Sequence, residues 1–302
     1  MSQPKFFDAI LIGGSYAGLS AAMALGRSLR NVLVIDSGTP CNKQTPHSHN
    51  FLTQDGKSPA EIARIAKDQV LEYDTIEFVS ALATEARIAH CGFEVKTWDG
   101  EIFAGKKLLF ASGIEDILPE IESAADCWGI SLIHCPYCHG YEFRNGKTGI
   151  LANGETAFEM ARLLSNWTKD LTVFTDGESE ITSEKLAKLN TKGISIVENP
   201  IAKILNESGK MSGVILSDGK EIEIEAIYTR PAFVQQSDIP KTIGCEFQIS
   251  GHIKVDAFQK TSVDGIFAAG DNCFQMRSLS NSVFAGSLAG AMINKELIEE
   301  SF

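Results

Sequence analysis

The sequence predicts an α/β fold with two Rossmann-like dinucleotide-binding domains. A strand, a glycine-rich turn, a helix and a second strand follow one another near the N-terminus, and the same order recurs near residue 150. Because this βαβ unit is the building block of nucleotide-binding sheets, two copies indicate two such domains. The length of 302 residues agrees with about two domains, and a hydrophobic content of 44% suffices for buried cores.

The charge and the cysteine content predict a cytoplasmic protein that binds neither nucleic acid nor membranes. The net charge of −12 opposes contact with phosphate backbones and anionic lipids. No apolar run reaches the ~18 residues that a membrane span needs. We expect no signal peptide, because residues 1–5 lead straight into a strand-like segment. Seven cysteines are an odd number, which suggests reduced thiols with one special pair.

The first βαβ unit begins with a short apolar strand at residues 8–12. A glycine-rich turn follows, then a helix of small residues over 19–26 and a second strand at 31–35. Short apolar runs of this kind are typical of buried parallel strands. A glycine turn alone is weak evidence, but strand, turn, helix and strand together indicate a nucleotide-binding unit.

The turn of this unit has the residues that a dinucleotide needs. Gly13 allows a tight turn, and Gly18 allows the helix to pack closely on the strand, so that a pyrophosphate can bind at the helix N-terminus. Ser15 stands where the middle glycine would be, and its side chain narrows the approach of the phosphates without forbidding it. Asp36 ends the second strand and can bond a ribose hydroxyl.

A loop, a helix and several strands are predicted next. The loop over 39–50 contains two histidines, which either contact a ligand or face the solvent. Ser58, Pro59 and Glu61 form the start signature of a helix that runs to about residue 72. Strands are predicted at 76–79, 93–97, 102–104 and 107–111, with a hairpin turn at Asp99-Gly100 and a crossing into the second domain at 117–119.

The second βαβ unit is a degraded copy of the first. Its strands are predicted at 148–152 and 171–174, with a helix over 158–167 between them. Ala152 stands in place of the first glycine, and only Gly154 and Ala157 keep the pattern. The segment 175–178 is acidic where a 2′-phosphate would need arginines. NADPH is therefore disfavoured, and NADH or an empty site are the alternatives. Further strands are predicted at 194–197, 214–216 and 227–229.

The C-terminal segment has a strand that ends at an acid, followed by a long helix. Residues 265–271 form the strand and end at Asp271, and the helix covers about 282–297. A carboxylate and a helix N-terminus placed together suit a flavin. Simple packing explains the alanine and glycine content of the helix equally well.

The segment 134–142 contains a Cys-x-x-Cys pair with a histidine on each side. Cys135 and Cys138 can close into a reducible disulfide, and such surroundings lower a thiol pKa from about 8.5 toward about 7. Pro136 stiffens the turn between them. Half a zinc site and two inert core cysteines are the alternatives. The other five cysteines are scattered in the sequence and give zinc no suitable further ligands, so no metal is predicted.

Four motifs in this order resemble those of low-molecular-weight thioredoxin reductases. They are the N-terminal turn, Ala111-Ser112-Gly113, the Cys-x-x-Cys pair and Ala269-Gly270-Asp271. The resemblance covers essentially the whole chain. It implies an FAD domain built from residues 1–113 and 247–302, with a pyridine-nucleotide-type domain inserted at 114–246. It also implies a homodimer and a cysteine pair that faces the flavin.

The residue after the second cysteine departs from that family. It is usually an aspartate acting as an acid, and here it is His139. In this respect the segment 135–142 looks more like the subgroup that includes dithiol oxidases of disulfide-containing natural products. Those enzymes pass electrons from a dithiol to FAD and then to oxygen. The weakened second nucleotide turn agrees with that subgroup.

The resemblance implies specific roles. Cys138 is expected to meet the flavin, Cys135 to exchange with substrate, and His139, or less favourably His134, to act as general acid or base. The residues expected to bind FAD are Gly13, Ser15, Tyr16, Ala17, Gly18, Asp36, Ser37, Asn50, Ala111, Ser112, Gly113, Gly270, Asp271, Arg277 and Ser278.

Three functions remain open at this point. The first is a disulfide reductase fed by NADH, NADPH or another donor. The second is an oxygen-linked dithiol oxidase without pyridine nucleotide, and the third is a non-catalytic flavin or redox-sensing module. The substrate would be a small dithiol or disulfide, or a thioredoxin-like protein.

Overall fold

The computed structural model describes residues 5–302. The expectation about a signal peptide concerns the N-terminal residues, of which 1–4 lie outside the described range. Within 5–302, no helix combines the length and the apolar character that crossing a membrane requires.

The structure contains both strands and helices, with two runs of consecutive strands, over residues 76–117 and 195–235. The strands are β1 (Phe6–Ile12), β2 (Val32–Asp36), β3 (Ile76–Ser80), β4 (Ala83–Ala89), β5 (Gly92–Thr97), β6 (Ile102–Phe110), β7 (Ile114–Ile117), β8 (Leu132–Ile133), β9 (Thr148–Leu151), β10 (Leu171–Phe174), β11 (Ser195–Val197), β12 (Ile201–Glu207), β13 (Lys210–Leu216), β14 (Glu221–Glu223), β15 (Ala226–Thr229), β16 (Ala232–Gln235) and β17 (Ile266–Ala268). The helices are α1 (Tyr16–Arg27), α2 (Pro59–Val70), α3 (Ala124–Cys127), α4 (Pro136–His139), α5 (Gly154–Leu164), α6 (Ser183–Thr191), α7 (Ile239–Thr242) and α8 (Leu279–Glu299).

The chain divides into two compact units. The first contains the described residues up to Lys43, Ala60–Glu115 and Phe233–Phe302, and the second contains Gln44–Pro59 and Asp116–Ala232. The first unit is thus built from both ends of the chain, with the second inserted. Strands β7 and β16 carry the chain over two of the boundaries and pair with each other.

One unit boundary lies well away from its predicted position at residue 246. Residues 233–246 belong to the first unit. Ile239 and Cys245 are buried in the same apolar core as Ile10 and Phe110, which are strand residues of the first sheet. Burial against that sheet assigns this stretch to the first unit.

The loop Gln44–Pro59 also changes unit relative to the prediction. It was assigned to the first domain, yet it groups with the second unit. Its first residues pack against Gly129, where an added side chain would lie 2.9 Å from the Thr45 hydroxyl. No sequence pattern predicts this contact, because the loop and Gly129 are far apart in the chain.

The first unit contains a seven-stranded sheet. The strand order is β3-β2-β1-β6-β5-β4, with β17 also paired to β6. Strands β1, β2, β3, β6 and β17 run parallel, whereas β4, β5 and β6 are joined by antiparallel pairing. Helices α1 and α8 pack so closely that a side chain at Gly286 would overlap the carbonyl oxygen of Ala17. The small residues of the last helix therefore serve packing.

Two features of this sheet differ from the prediction. Strand β6 is continuous over Ile102–Phe110, where two short strands were expected. Strand β4 was not predicted because four of its seven side chains are exposed and the other three are alanines, which leaves no hydrophobic alternation to detect. It is held by backbone pairing and by ion pairs such as Arg87 with Glu94 of β5.

The second unit contains a five-stranded parallel sheet in the order β11-β10-β9-β15-β8 and a three-stranded antiparallel sheet β12-β13-β14. Its core includes Ile150, Val173 and Tyr228. Helix α5 begins at Gly154, earlier than predicted, because Asn153 caps it. Helix α6 and strands β12 and β14 were not predicted. Helix α6 and β14 are short and mostly polar, whereas β12 covers seven residues and buries Ile201 and Ile204.

Candidate functional site

The first dinucleotide turn has the close packing that its glycines predict. Gly13 has φ +106°, and a side chain there would overlap the carbonyl oxygen of Ala111. A side chain at Gly18 would overlap the carbonyl oxygen of Gly13. Both predicted roles, the tight turn and the close helix packing, are confirmed. Ser15 caps α1 in extended conformation.

A cleft of about 370 Å³ lies beside this turn, entirely within the first unit. Its lining includes six of the residues predicted to bind FAD: Gly13, Ser15, Asp36, Ser37, Ala111 and Ser112. The Asp36 carboxylate accepts the backbone N–H of Gly14 at 3.0 Å, which fixes the acid at the rim of the turn. The Ser112 hydroxyl is buried and has no hydrogen-bond partner within residues 5–302. A polar ligand group in the cleft would satisfy it, so the residues fit a dinucleotide.

Two cations of α2 also line the cleft and were missed by sequence reasoning. Arg64 and Lys67 lie three positions apart on one helix, and Lys67 Nζ is 3.7 Å from the centre of the Phe78 ring. Their charge suits a pyrophosphate. The signal existed in the i,i+3 spacing of the two cations, but only the fold brings α2 to the glycine turn.

The C-terminal residues predicted for FAD lie in the same unit. An added side chain at Gly270 would lie 3.1 Å from the Ala17 side chain, so this strand end is next to the first turn of α1. Asp271 lies 3.5 Å from Arg277 and from the Ser282 hydroxyl. Ser278 caps α8 by accepting the N–H of Asn281 at 3.1 Å.

The remaining predicted FAD residues are more dispersed. Tyr16 and Ala17 are buried at the start of α1, and burial raises the pKa of Tyr16. Gly113 has φ +73° just after β6. Asn50 lies in the loop of the second unit, where its N–H donates to Asp55 at 2.7 Å. Its role toward a flavin stays a prediction.

The Cys-x-x-Cys segment forms a disulfide at the surface of the second unit. Cys135 and Cys138 are bonded, with their Cα atoms 5.3 Å apart. The single-turn helix α4 has Pro136 at its first position, and the carbonyl of Cys135 accepts the N–H groups of Cys138 and His139 at 3.2 Å. The exposed Tyr137 between the cysteines meets Trp167 edge-on, with ring centres 5.6 Å apart.

The two flanking histidines have different surroundings. His139 is half-buried, and burial lowers its pKa below the ordinary value. Glu142 acts in the opposite direction, and His49 lowers the pKa further. The imidazole of His139 is therefore neutral at pH 7 and can accept a proton. His134 lies against Trp128, with ring centres 5.9 Å apart.

The two loop histidines are expected either to contact a ligand or to face the solvent, and the structure gives His49 a different environment. Its ring lies between two carboxylates, 3.5 Å from Glu142 and 3.5 Å from Asp55. His47 instead bonds the carbonyl of Gly56 at 3.0 Å. No local sequence pattern indicates that residues so far apart as His49 and Glu142 meet.

In the second dinucleotide turn, the side chain of Asn153 bonds backbone groups on both sides of the turn. The Asn153 side chain accepts the N–H groups of Gly154 and Glu180, both at 2.8 Å, and donates to the carbonyl of Glu178 at 2.9 Å. Of these groups, the N–H of Gly154 is a donor at the start of α5, where a phosphate would bind. Glu178 and Glu180 add negative charge, which opposes a pyrophosphate, whereas Glu155 forms an ion pair with Lys185.

Residues 7–286 match the family described as pyridine nucleotide-disulphide oxidoreductase. The chain is similar to thioredoxin reductase tcpT of Claviceps purpurea, with 32% identity over 99% of this chain and 97% of that protein. It is also similar to thioredoxin reductase sirT of Leptosphaeria maculans, with 32% identity over 96% of this chain and 94% of that protein. An oxidoreductase structure from Agrobacterium tumefaciens has 37% identity and a TM-score of 0.90, covering 97% of this chain and 98% of that one. These similarities include both units.

Proposed function

Because this chain belongs to the pyridine nucleotide-disulphide oxidoreductase family, we propose that it moves two electrons between FAD and the Cys135–Cys138 disulfide, and between that pair and a dithiol or disulfide substrate. Family membership makes the chain an FAD-dependent disulfide oxidoreductase of the thioredoxin reductase-like kind. The route of the electrons and the substrate are the proposed parts.

The observation that carries the proposal is the disulfide with a neutral histidine next to it. His139 can accept the proton of an incoming thiol because burial lowers its pKa. The resulting thiolate attacks Cys135, the bond between the two cysteine sulfurs breaks, and Cys138 leaves as a thiolate. The second thiol of the substrate then displaces Cys135. The products are a substrate disulfide and a reduced cysteine pair, which has gained two electrons.

FAD, when bound, supplies the two-electron acceptor or donor that returns the pair to its starting state. The first unit holds the groups that suit it: the glycine turn, the Asp36 carboxylate, the unpartnered Ser112 hydroxyl and the cations Arg64 and Lys67. We assign the flavin-side sulfur to Cys138 and the substrate-side sulfur to Cys135, following the polarity that the family resemblance implies.

A dithiol oxidase without pyridine nucleotide is the second candidate, and a specific observation favours it. Asn153 accepts the N–H of Gly154 in the second turn, and Glu178 and Glu180 add negative charge there. The glycine turn of the first unit presents no comparable obstacle to a dinucleotide. A neutral His139 also suits removal of protons from a dithiol. Oxygen would then be the electron acceptor.

The partner and the location belong to the same proposal. The substrate would be a small dithiol or disulfide, or a thioredoxin-like protein, and the enzyme would work as a cytoplasmic homodimer. The net charge of −12 supports a partner that is neither nucleic acid nor anionic membrane.

An anaerobic titration of the flavin-loaded protein tests the proposal. Dithiothreitol, NADH and NADPH are added in parallel, and the visible absorbance of the flavin is followed. Bleaching by the dithiol alone, with peroxide formed after air is admitted, supports the oxidase. Rapid bleaching by either nicotinamide supports a reductase. If none of the three reductants bleaches the flavin, the oxidase and the reductase are both excluded, and a non-catalytic flavin module remains.

A further inference from the structure

We propose that Tyr137, Tyr141 and Leu52 form an apolar surface beside the disulfide of the second unit, and that this surface selects an uncharged, ring-containing small dithiol as the substrate. The inference rests on the proposed function and deepens it by naming the chemical class of the substrate. The three side chains determine specificity, because they bind the body of the substrate while the two cysteine sulfurs remain the reacting atoms.

The exposed apolar side chains of the second unit are concentrated around the disulfide. Within the described chain, four large apolar side chains of this unit are exposed: Leu52, Tyr137, Tyr141 and Ile117. Tyr137 is 62% exposed and lies between the two cysteines, and Tyr141 is 67% exposed and follows Cys138 by three positions. Single exposed apolar residues are ordinary, but a group of them at one place is typical of a binding surface.

The two tyrosines lie on the same face of the segment that carries the cysteines. Gly140 continues the helical backbone of α4, with φ −65° and ψ −29°, and its N–H donates to the carbonyl of Pro136 at 2.7 Å. Residues four apart on a helical backbone share a face, as positions 137 and 141 do, and residues three apart are also neighbours. Tyr141 is three positions after Cys138, so the apolar surface adjoins the disulfide.

Both tyrosine rings are held by neighbouring side chains. Tyr137 meets Trp167 edge-on, and Trp167 packs against Gly140, where an added side chain would lie 2.9 Å from the indole nitrogen. The guanidinium carbon of Arg144 lies 4.0 Å from the centre of the Tyr141 ring, and its Nη1 donates to the carbonyl of Tyr141 at 2.6 Å. Rings that are already fixed lose little conformational entropy when a ligand ring packs on them.

The loop that carries Leu52 is strained and contacts the disulfide segment. Thr53 has φ +73°, a left-handed conformation that is unfavourable for a β-branched residue. Strain of this kind is found where the surrounding structure enforces it, often at ligand sites. The Nε2 of His49 lies 3.5 Å from the carboxylate of Glu142, the residue after Tyr141. Leu52 follows His49 by three residues, so their Cα atoms are at most about 11 Å apart.

The charges around the apolar surface disfavour an anionic substrate. The one cation in contact with it, Arg144, is already engaged by the ring and the carbonyl of Tyr141 within the described residues. The carboxylates of Glu142 and Asp55, which lie on either side of the His49 ring, are 37% and 64% exposed. They repel a substrate carboxylate, so the surface favours an uncharged molecule.

The extent of the apolar surface fits a small molecule better than a protein. A fully exposed side chain of this size offers on the order of 200 Å², so the three together expose roughly 400 Å². A specific protein interface buries about 800 Å² on each partner. A dithiol with one or two rings covers such a surface while its sulfurs reach the cysteine pair.

Stopped-flow bleaching of the flavin-loaded protein, without oxygen, tests the inference with dithiols that differ in one property. The rate at rising dithiol concentration gives a half-saturating concentration for each probe. The aromatic ortho-benzenedimethanethiol should half-saturate at a concentration about tenfold lower than dithiothreitol, because its ring is buried on the surface. Dihydrolipoamide should half-saturate at about threefold lower concentration than dihydrolipoate, which adds a negative charge.

Substitutions in the apolar surface should change the response to the ring and not to the sulfurs. Tyr141→Ala should raise the half-saturating concentration of the aromatic dithiol about fivefold and that of dithiothreitol by less than about twofold. Tyr141→Phe keeps the ring and should match wild type. Leu52→Ser should raise the value for the aromatic dithiol about twofold. The matched control is Trp98→Ala, an aromatic residue of the first unit that is 69% exposed, which should change neither value.

Two results would overturn the inference. One is an equal effect of Tyr141→Ala on both dithiols, which would mean that the side chain acts on the disulfide and not on the ligand. The other is a reduced thioredoxin that half-saturates at a lower concentration than the aromatic dithiol, because a protein would then be the favoured partner.

A diol that cannot reduce a disulfide separates this inference from the proposed function. In saturation-transfer NMR, the ring protons of ortho-benzenedimethanol should receive magnetisation from the wild-type protein and much less from Tyr141→Ala. Binding of the diol without flavin bleaching by any dithiol would reject the proposed function and support the apolar surface. Bleaching without any preference for the ring would support the proposed function and reject the surface.

Discussion

The two βαβ turns of this chain share one topology and differ in what they leave open. In the first, glycines at 13 and 18 bring backbone and helix together, and a cleft with two cations lies alongside. In the second, the Asn153 side chain accepts the N–H of Gly154, and Glu178 and Glu180 add negative charge. A nucleotide-binding topology therefore does not by itself create a nucleotide site; the side chains at the turn decide whether the backbone donors are available.

The largest contrast between the turns should come from adding one methyl group to each. Gly18→Ala forces a side chain into the carbonyl oxygen of Gly13 and should destabilise the protein by about 3 kcal/mol and weaken flavin retention. Gly154→Ala meets only Glu180 at 3.6 Å and should cost about 1 kcal/mol, from its φ of +56°. Urea unfolding of both variants measures the difference, and equal losses would contradict the contrast.

The second unit should contribute proton chemistry where the first contributes the flavin site. His139→Gln should slow anaerobic flavin reduction by dithiothreitol about 100-fold at neutral pH, because the base is lost. The wild-type rate should fall as pH drops through the lowered pKa of His139, since the protonated ring cannot accept a proton. Stopped-flow rates across pH check both. A wild-type profile identical to that of His139→Gln would remove the histidine from the reaction.

The two cations of α2, Arg64 and Lys67, should contribute to FAD binding at the first turn and have no counterpart at the second. Arg64→Gln and Lys67→Gln should each weaken FAD binding about tenfold, because a charge-assisted contact to phosphate is lost. Arg87→Gln, which removes a surface cation paired with Glu94, serves as the control. Fluorescence titration of the apoprotein with FAD gives the affinities, and unchanged values in the α2 variants would place the pyrophosphate elsewhere.

The smallest effect should follow from opening the second turn. Asn153→Ala removes the cap of α5 and should cost about 1 kcal/mol of stability. The N–H of Gly154 is then free, but Glu178 and Glu180 still add negative charge, so NADH should bleach the flavin no faster than in wild type. Fast bleaching by NADH in this variant would show that Asn153 alone closes the site and that the acids do not matter.

Sequence alone predicted the elements with strong local signals. The apolar strands of both sheets, the Gly13 and Gly18 contacts and the bonded cysteine pair all follow from residue type and spacing. Strand β4 was not predicted, because its sequence shows no alternation of hydrophobic and polar residues. The contact of His49 with Glu142 and the assignment of 233–246 to the first unit depend on chain folding over long distances, which no local pattern encodes.

The most direct test of the central claim is an anaerobic dithiothreitol titration of three flavin-loaded proteins: wild type, Cys138→Ser and Cys91→Ser. Cys91 is exposed on the first unit and outside the disulfide, so it controls for loss of a thiol. The account predicts that wild type and Cys91→Ser bleach alike, whereas Cys138→Ser stays yellow. Equal bleaching of Cys138→Ser would contradict electron transfer through the Cys135–Cys138 pair.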